Sequence, residues 1–257
     1  MRHSFFDTEA LRRPLVFAHR GGSALAPENT MAAFDNGLAL GADGLELDVH
    51  LSSDGSVVVH HDRTLNRTTS LTGPVAARTA AELSRAAIPL LDDVLRRHRD
   101  ARVIIELKVN HPTLARAAVE AVRAADAVER VCFGAFGIRV LRAVRELEPA
   151  AATSGAREEV RWALYRSWCR WPVKHVAYDG YQVPEWAGST RVVSPRFVND
   201  AHAAGLGVQV WTVDDAAEAK RLLSYGVDAL ITDRPDTIVP LVRSLAAAHP
   251  PVPRPTL

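Results

Sequence analysis

Cysteine is scarce: Cys132 and Cys169 are the only two in 257 residues. They match no metal-ligand spacing, and a disulfide framework would need more of them in a much smaller chain. Neither a zinc module nor a stapled secreted scaffold is expected, and a reducing cytoplasm is the setting this usage favours. Long apolar runs are missing too. No stretch approaches the roughly 20 consecutive apolar residues of a membrane-spanning helix. The opening MRHSFFDTEALRRP carries early charges and no apolar run, unlike a secretory signal or an anchor. Charge of one sign is also lacking: 31 Lys and Arg against 30 Asp and Glu leave a formal net charge of +1. That balance provides no long-range field for collecting nucleic acid. The expected chain is cytoplasmic, without stable membrane insertion or a nucleic-acid partner, and recognises any phosphate locally. Its oligomeric state is not legible.

What is present is an ordinary globular balance of 47% hydrophobic and 24% charged residues. Short β-branched runs alternate with Ala/Leu/Arg-rich segments of helical period, the pattern of βαβ units on a parallel sheet. Eight strands are expected, at residues 15–19, 44–50, 102–109, 130–133, 151–154, 175–179, 207–213 and 229–232. Helices are expected over 30–40, 114–125, 138–147 and 216–224, the first capped by Asn29 or Thr30 and closed by Gly41. Eight such pairs without a linker predict an α/β fold, a closed (β/α)8 TIM barrel over residues 14–248. An N-terminal extension at 1–13 and a proline-rich tail at 249–257 flank it. An insertion at about 52–88 follows the second strand, with a further strand-like run at 56–61 and a Gly73-Pro74 turn. A barrel loop this long is more often functional than decorative.

In Leu45-Glu46-Leu47-Asp48-Val49 apolar residues alternate with acids, so a strand turns the apolar set one way and both carboxylates the other. On a barrel the apolar set faces the helices. Glu46 and Asp48 then face the axis near the strand's C-terminal end, where barrel enzymes keep their active sites. Two inward acids repel unless a cation or a proton lies between them. Residues 102–109 repeat the arrangement, with Glu106 and Lys108 sharing a face with Ile104. Glu106 makes a third hard oxygen donor, and such a set suits one divalent cation, Mg²⁺ or Ca²⁺, rather than zinc. The competing arrangement is a buried ion pair of Lys108 with Glu46 or Glu106 and no metal. The first strand ends in His19-Arg20-Gly21-Gly22. His19 and Arg20 both face the site only if the chain is already turning, which the glycines permit, and a guanidinium beside a metal is a natural phosphate clamp. His60-His61-Asp62 adds a second acid/base candidate, but alternation does not choose between the two histidines.

Several ordered stretches together carry a resemblance. HRGGSALAPENTMAAF, GADGLELDVHLSSDG, VVHHDRTLNRTT, IPLLDDVL, IIELK, AHAAGLGVQVWTVDD and GVDALITDRPD are similar to motifs of the glycerophosphodiester phosphodiesterase family, across residues 19–236. The resemblance implies that His19 and His61 are general acid and base, which selects His61 over His60. It implies Glu46, Asp48 and Glu106 as metal ligands, Arg20 and Lys108 as phosphate-binding groups, and Trp211 as an aromatic on the glycerol side of the pocket. The implied reaction is hydrolysis of a small-molecule glycerophosphodiester to sn-glycerol 3-phosphate and an alcohol such as choline or ethanolamine. Asp62 is expected to orient His61 or to brace its loop, and Asp233 to brace the last strand end. The chain departs from the family's usual residues at Asp214 (often Asn) and Ala229 (often Gly). Ala135-Phe136 stands where many members carry Ser-Phe, which touches substrate preference rather than the reaction.

Two other readings compete. A related branch of the superfamily cleaves sphingomyelin or lysophospholipids on the same barrel. The segment RWALYRSWCRW, if it formed a basic, tryptophan-rich helix on a membrane surface, would favour such lipids. The expectation for that segment is a barrel helix that packs its aromatics inward. A noncatalytic barrel that binds phosphorylated ligands is the second alternative, and it has no need of a proton-transfer pair.

Overall fold

The computed structural model describes residues 3–8, 11, 13–173 and 176–248. Its elements begin β1 (Leu15–His19), α1 (Met31–Ala39), β2 (Gly44–Leu51), β3 (Val57–Val59), α2 (Ala80–Arg85), α3 (Leu91–Arg97), β4 (Arg102–Leu107) and α4 (Pro112–Ala124). They continue β5 (Val131–Gly134), α5 (Ile138–Leu147), β6 (Ala152–Thr153), α6 (Arg157–Trp168), β7 (Gly180–Pro184), β8 (Trp186–Ala187) and β9 (Thr190–Arg191). The last are α7 (Pro195–Ala203), β10 (Gly207–Trp211), α8 (Ala216–Ser224), β11 (Ala229–Thr232) and α9 (Pro235–Ala248).

Eight parallel strands form the wall in the order β6-β5-β4-β2-β1-β11-β10-β7, with β3 antiparallel on β2. A parallel bridge between Ser154 and Gly180 joins the two ends. There the Gly155 N–H donates to the Gly180 carbonyl and the Asp179 N–H to the Thr153 carbonyl, each at 2.9 Å. The sheet is thereby closed into the expected (β/α)8 barrel, and no helix among the described residues is long and apolar enough to cross a membrane.

Alternation along the strands sets the layers. Leu45, Leu47 and Val49 of β2 and Ile105 and Leu107 of β4 share one core with Leu91, Leu95, Leu114 and Ala118 of the helices outside. Thr30 caps α1, its hydroxyl accepting from the Ala33 N–H at 3.2 Å, and Gly41 closes it at φ +92°. Such a left-handed residue after a helix is the usual site for glycine. Inside the barrel, Leu15, Phe17, Ile104, Cys132 and Ile231 form a core with Phe5 and Phe6. Phe5 stacks on Phe17 with ring centroids 5.8 Å apart. Gly180 leaves room for Phe6, because a Cβ there would lie 2.5 Å from the ring. Residues of the N-terminal extension therefore stop the end of the barrel where the strands begin.

Three expectations shift. The sixth strand is Gly180–Pro184 rather than 175–179. His175 lies outside the described residues, and 176–179 do not form a strand. The true strand begins on the glycine that Phe6 requires and ends on a proline, so its sequence reads as a turn. β4 stops at Leu107, although the Lys108 N–H still reaches the Val49 carbonyl at 3.2 Å. Most consequential is α6, which does not pack its aromatics inward. Its inner stripe is Val160, Ala163, Leu164 and Ser167, spaced i, i+3, i+4, i+7, and this leaves Trp162, Tyr165 and Trp168 exposed. The proline-rich tail at 249–257 lies outside the described residues.

Phe6 is fully buried, so Phe6→Ala is expected to cost about 3–5 kcal/mol of unfolding free energy, measured by urea denaturation. An unchanged midpoint would show that the N-terminal segment is not part of the barrel's core.

Candidate active site

A cavity of about 750 Å³ opens at the C-terminal ends of the strands and is lined by His19, Arg20, Glu46, Asp48, His61, Glu106, Lys108 and Trp211. Every site residue expected from the sequence is thus brought to one place. β2 delivers Glu46 and Asp48, and β4 delivers Glu106 opposite Asp48 in register. β1 delivers His19, paired with Glu46. The turn that aims Arg20 inward begins on Arg20 itself, at φ +51°, before Gly21 at +88° and Gly22 at +96°. A Cβ on Gly21 would lie 2.6 Å from Ala33, so the turn packs directly on α1. His61 lines the cavity, whereas His60 is buried with its Nε2 on the Thr64 carbonyl at 3.1 Å. The choice that alternation left open falls to His61.

Each imidazole is held from behind by a carboxylate. His19 Nδ1 lies 2.7 Å from Asp233 Oδ1, and His61 Nδ1 lies 2.6 Å from Asp62 Oδ1. Asp62 does what the sequence suggested. Asp233 does more than brace a strand end, since it orients His19 directly. Asp233 is itself fixed by Asp214, whose Oδ1 accepts the Asp233 N–H at 2.7 Å and the Thr232 hydroxyl at 2.9 Å. An asparagine oxygen would accept the same bonds, which accounts for either residue at that position.

Asp48 is the most heavily engaged acid. It receives Lys108 Nζ at 2.7 Å and Asn29 Nδ2 at 2.9 Å, and Arg20 Nε lies 3.3 Å away without hydrogen-bond alignment. Lys108 thus pairs with Asp48, neither with Glu46 nor with Glu106. Glu46 accepts the Arg20 backbone N–H at 3.0 Å and stands 3.8 Å from His19 Nε2. Sequence reasoning did not find Asn29 as an Asp48 partner. It offered Asn29 as a helix cap, whereas Asn29 sits one residue earlier at φ +56°, a conformation asparagine tolerates. Also missed was a chain of charges in which Arg67, from the insertion, bonds both Asp62 at 2.7 Å and Glu28 at 2.7 Å, while Glu28 holds Arg20 at 3.1 Å. Sequence reasoning also passed over Gln209, whose amide oxygen accepts from Gln182 at 3.0 Å, although alternation could have found it. It shares the inward face of β10 with Trp211, as alternation dictates.

The electrostatics are divided. Burial raises the Asp48 carboxyl, but Lys108 and Arg20 outweigh it and hold its pKa below the ordinary value. Burial and the Asp48 charge push Glu46 up. Burial pushes Glu106 to about 8, and Asp48 and Glu46 add to this against Lys108. Burial disfavours the His19 imidazolium, yet Glu46 and Asp233 prevail and its pKa is raised. Burial lowers that of His61, against the pull of Asp48 and Asp62.

Among the described residues no three His, Cys, Asp or Glu side chains already converge as a ligand set. The donors nonetheless fit a hard divalent cation. Glu46 is buried and Glu106 partly so, and the positive groups nearby compensate their charge only in part, leaving both pKa values raised. Gly134 keeps space clear beside them, since a Cβ there would lie 2.8 Å from Glu106 Oε2.

Asp233→Asn keeps an oxygen that can accept from His19 Nδ1 but removes the charge that helps raise the His19 pKa. The variant is expected to titrate His19 at lower pH by NMR and to lose about 10²-fold or more in kcat. An unmoved His19 titration would show that Asp233 only supports the strand end.

Comparison with known proteins agrees with the geometry. Residues 19–237 match the model of the glycerophosphoryl diester phosphodiesterase family. A glycerophosphodiester phosphodiesterase of Caldanaerobacter subterraneus is 33% identical over 251 residues, spanning 90% of this chain and 98% of the relative. The crystal structure of a glycerophosphodiester phosphodiesterase from Agrobacterium tumefaciens superposes with a TM-score of 0.71 at 29% identity, over 88% of this chain and 99% of that one. An Oleispira antarctica phosphodiesterase, solved in complex with the product sn-glycerol-3-phosphate, matches with a TM-score of 0.72 at 26% identity, over 91% and 98%. With the fold, the cavity and these relatives in agreement, the chain belongs to the glycerophosphoryl diester phosphodiesterase family and is an enzyme of that class.

Proposed function

We propose that this enzyme hydrolyses glycerophosphodiesters to sn-glycerol 3-phosphate and an alcohol, in a divalent-cation-dependent reaction whose protons are moved by His19 and His61. The observation that carries this reading is one cavity holding two imidazoles shifted in opposite directions, two cationic side chains and three carboxylates. Neighbouring groups whose pKa values are pushed apart are suited to opposite acid and base roles. His61, lowered and held by Asp62, takes a proton from the nucleophile as its oxygen bonds to phosphorus, water supplying the oxygen that net hydrolysis adds. His19, raised and held by Asp233, donates a proton to the departing alkoxide as its bond to phosphorus breaks.

Arg20 and Lys108 supply positive charge to the non-bridging phosphoryl oxygens as charge builds there. Both rest against Asp48, so they are pre-placed before substrate arrives. Glu46, Asp48 and Glu106 would hold the cation, Mg²⁺ or Ca²⁺, which supplies Lewis-acid stabilisation of the same oxygens. Trp211 packs edge-to-face on Phe136 at 6.1 Å and offers an apolar wall to the carbon face of the glycerol. The two residues at 135–136 contribute no hydroxyl there.

Purified protein given glycerophosphocholine or glycerophosphoethanolamine with Mg²⁺ or Ca²⁺ is expected to release glycerol 3-phosphate, followed with a coupled dehydrogenase. His19→Ala and His61→Ala should each lower kcat by about 10²–10⁴-fold. Wild-type rates in His61→Ala would remove it from the reaction, and no turnover of any glycerophosphodiester would favour a binding barrel. Exhaustive chelation should abolish activity, and readdition of the cation should restore it.

The profile of kcat/KM against pH should be bell-shaped. Activity rises as His61 loses its proton, on a limb below the ordinary histidine value of about 6.5. It falls as His19 loses its proton, on a limb above that value. A profile whose two limbs were unaffected by Asp62→Asn and Asp233→Asn would contradict the assignment.

A further inference from the structure

The cavity has a second end. Away from the carboxylates it runs to Tyr165 and Trp168 of α6 and to Trp186 of the β8–β9 hairpin. The two α6 rings also belong to an outward stripe. Trp162 and Tyr165 meet edge-to-face with centroids 6.4 Å apart, and Tyr165 and Trp168 at 5.6 Å. Trp171, 70% exposed, follows three residues after Trp168 in the chain, and Trp186, 52% exposed, lines the cavity with Tyr165 and Trp168. Single exposed apolar side chains are ordinary on a protein surface, but a contiguous row calls for a contact.

The charges interleaved with these rings have one sign. Arg161, Arg166 and Arg170 alternate with the aromatics along the chain, and Arg191 lies over the Trp186 ring at 5.7 Å. The acids of the segment, Glu158 and Glu159, both fall in the first turn of α6, and Glu159 is held by Arg145 at 2.8 Å. Glu185, beside the hairpin, is taken up by Arg221 and Arg191.

We propose that the outer face of α6, with Trp171 and the β8–β9 hairpin, docks on an anionic lipid surface and sets the mouth of the catalytic cavity against it. Tryptophan and tyrosine have an apolar body and a polar tip, which suits the boundary between headgroups and acyl chains. Guanidinium groups beside them match lipid phosphates. The charge of the stripe selects this occupant over a second copy. The same face of another copy would bring arginine against arginine, whereas the phosphates of an anionic lipid surface supply the opposite charge. The docking surface stands on its own geometry, whereas its use in presenting the cavity rests on the phosphodiesterase reading.

The test uses the full chain with vesicles of phosphatidylcholine, with and without phosphatidylglycerol. The chain is expected to cosediment with the anionic vesicles, with a blue shift of tryptophan fluorescence and weaker binding at high salt. Trp162 and Trp171 do not line the cavity, so Trp162→Ser/Trp171→Ser removes rings from the surface alone. The double variant should bind the vesicles at least about tenfold more weakly and hydrolyse glycerophosphocholine at the wild-type rate. Equal vesicle binding by variant and wild type would overturn the proposal. So would wild-type protein that bound no vesicles, or a wild-type dimer that the variant dissolved into monomers. Vesicle binding by a chain that hydrolysed no glycerophosphodiester would support the surface and overturn the reaction alone.

Discussion

Three carboxylates crowded at one end of a barrel, two of them buried and the third partly so, cannot all keep their charge without cationic partners, and the architecture around Glu46, Asp48 and Glu106 answers that constraint. Removing even one partner from a buried ion pair typically costs 3–5 kcal/mol. The protein compensates only one of the three. Lys108, Arg20 and Asn29 converge on Asp48, while Glu46 and Glu106 are left with raised pKa values. A fold selected for stability alone would gain by replacing Glu106 with an apolar residue, as its neighbour Ile104 shows is possible on the same inward face. The retained imbalance is what a cation site and a phosphate site need together: free oxygens for one, held positive charges for the other.

From that imbalance the supporting structure follows. Arg20 must face inward from the residue after His19, which strand alternation forbids, so the chain turns at Arg20 and packs Gly21 directly on α1. The same turn is tied to the insertion through Glu28 and Arg67, and Arg67 in turn fixes Asp62 behind His61. The charges that begin at Arg20 thus reach His61 through Asp62, while His19 is positioned separately by Asp233. Arg67 is about half exposed, so its bonds contribute little to stability in water. Their effect is on orientation, because a charged pair that adds little free energy still selects one rotamer for each partner.

How far the site was legible depended on whether a residue's direction followed from a period. Glu46, Asp48 and Glu106 sit on strands, where alternation by two fixes their side, and all three line the cavity as read, as does Trp211, which the resemblance implied. His61 needed the family resemblance, because it lies just past the end of β3 at the edge of regular pairing. Asn29, Glu28 and Arg67 were invisible for the same reason: loop residues have no period, and Asn29–Asp48 and Glu28–Arg67 join positions 19 and 39 apart in sequence. The sixth strand was misplaced because Gly180 and Pro184, which mark its ends, are residues that strand patterns avoid. Glycine is there for Phe6, a partner more than 170 residues earlier, so no local window contains the reason.

Aromatic residues are only 6% of the chain, and much of that small supply is placed at opposite ends of the barrel. Phe5, Phe6 and Phe17 fill the end where the strands begin, and they are buried. Trp162, Tyr165, Trp168, Trp171 and Trp186 are exposed, and three of them, Tyr165, Trp168 and Trp186, line the cavity. The difference is chemical as well as positional, since phenyl rings have no polar atom to satisfy and can be sealed in a dry core. Indole and phenol groups carry a donor that favours a wet boundary. Packing needs alone would exchange the two sets freely or turn α6 by one residue to hide its rings. The helix instead presents Ala163 and Ser167 to the barrel, small residues that make a shallow inner contact and leave its largest side chains facing away. An inner face built for close approach beside an outer face rich in indole is the arrangement of a helix anchored to its own barrel and free to meet a second surface.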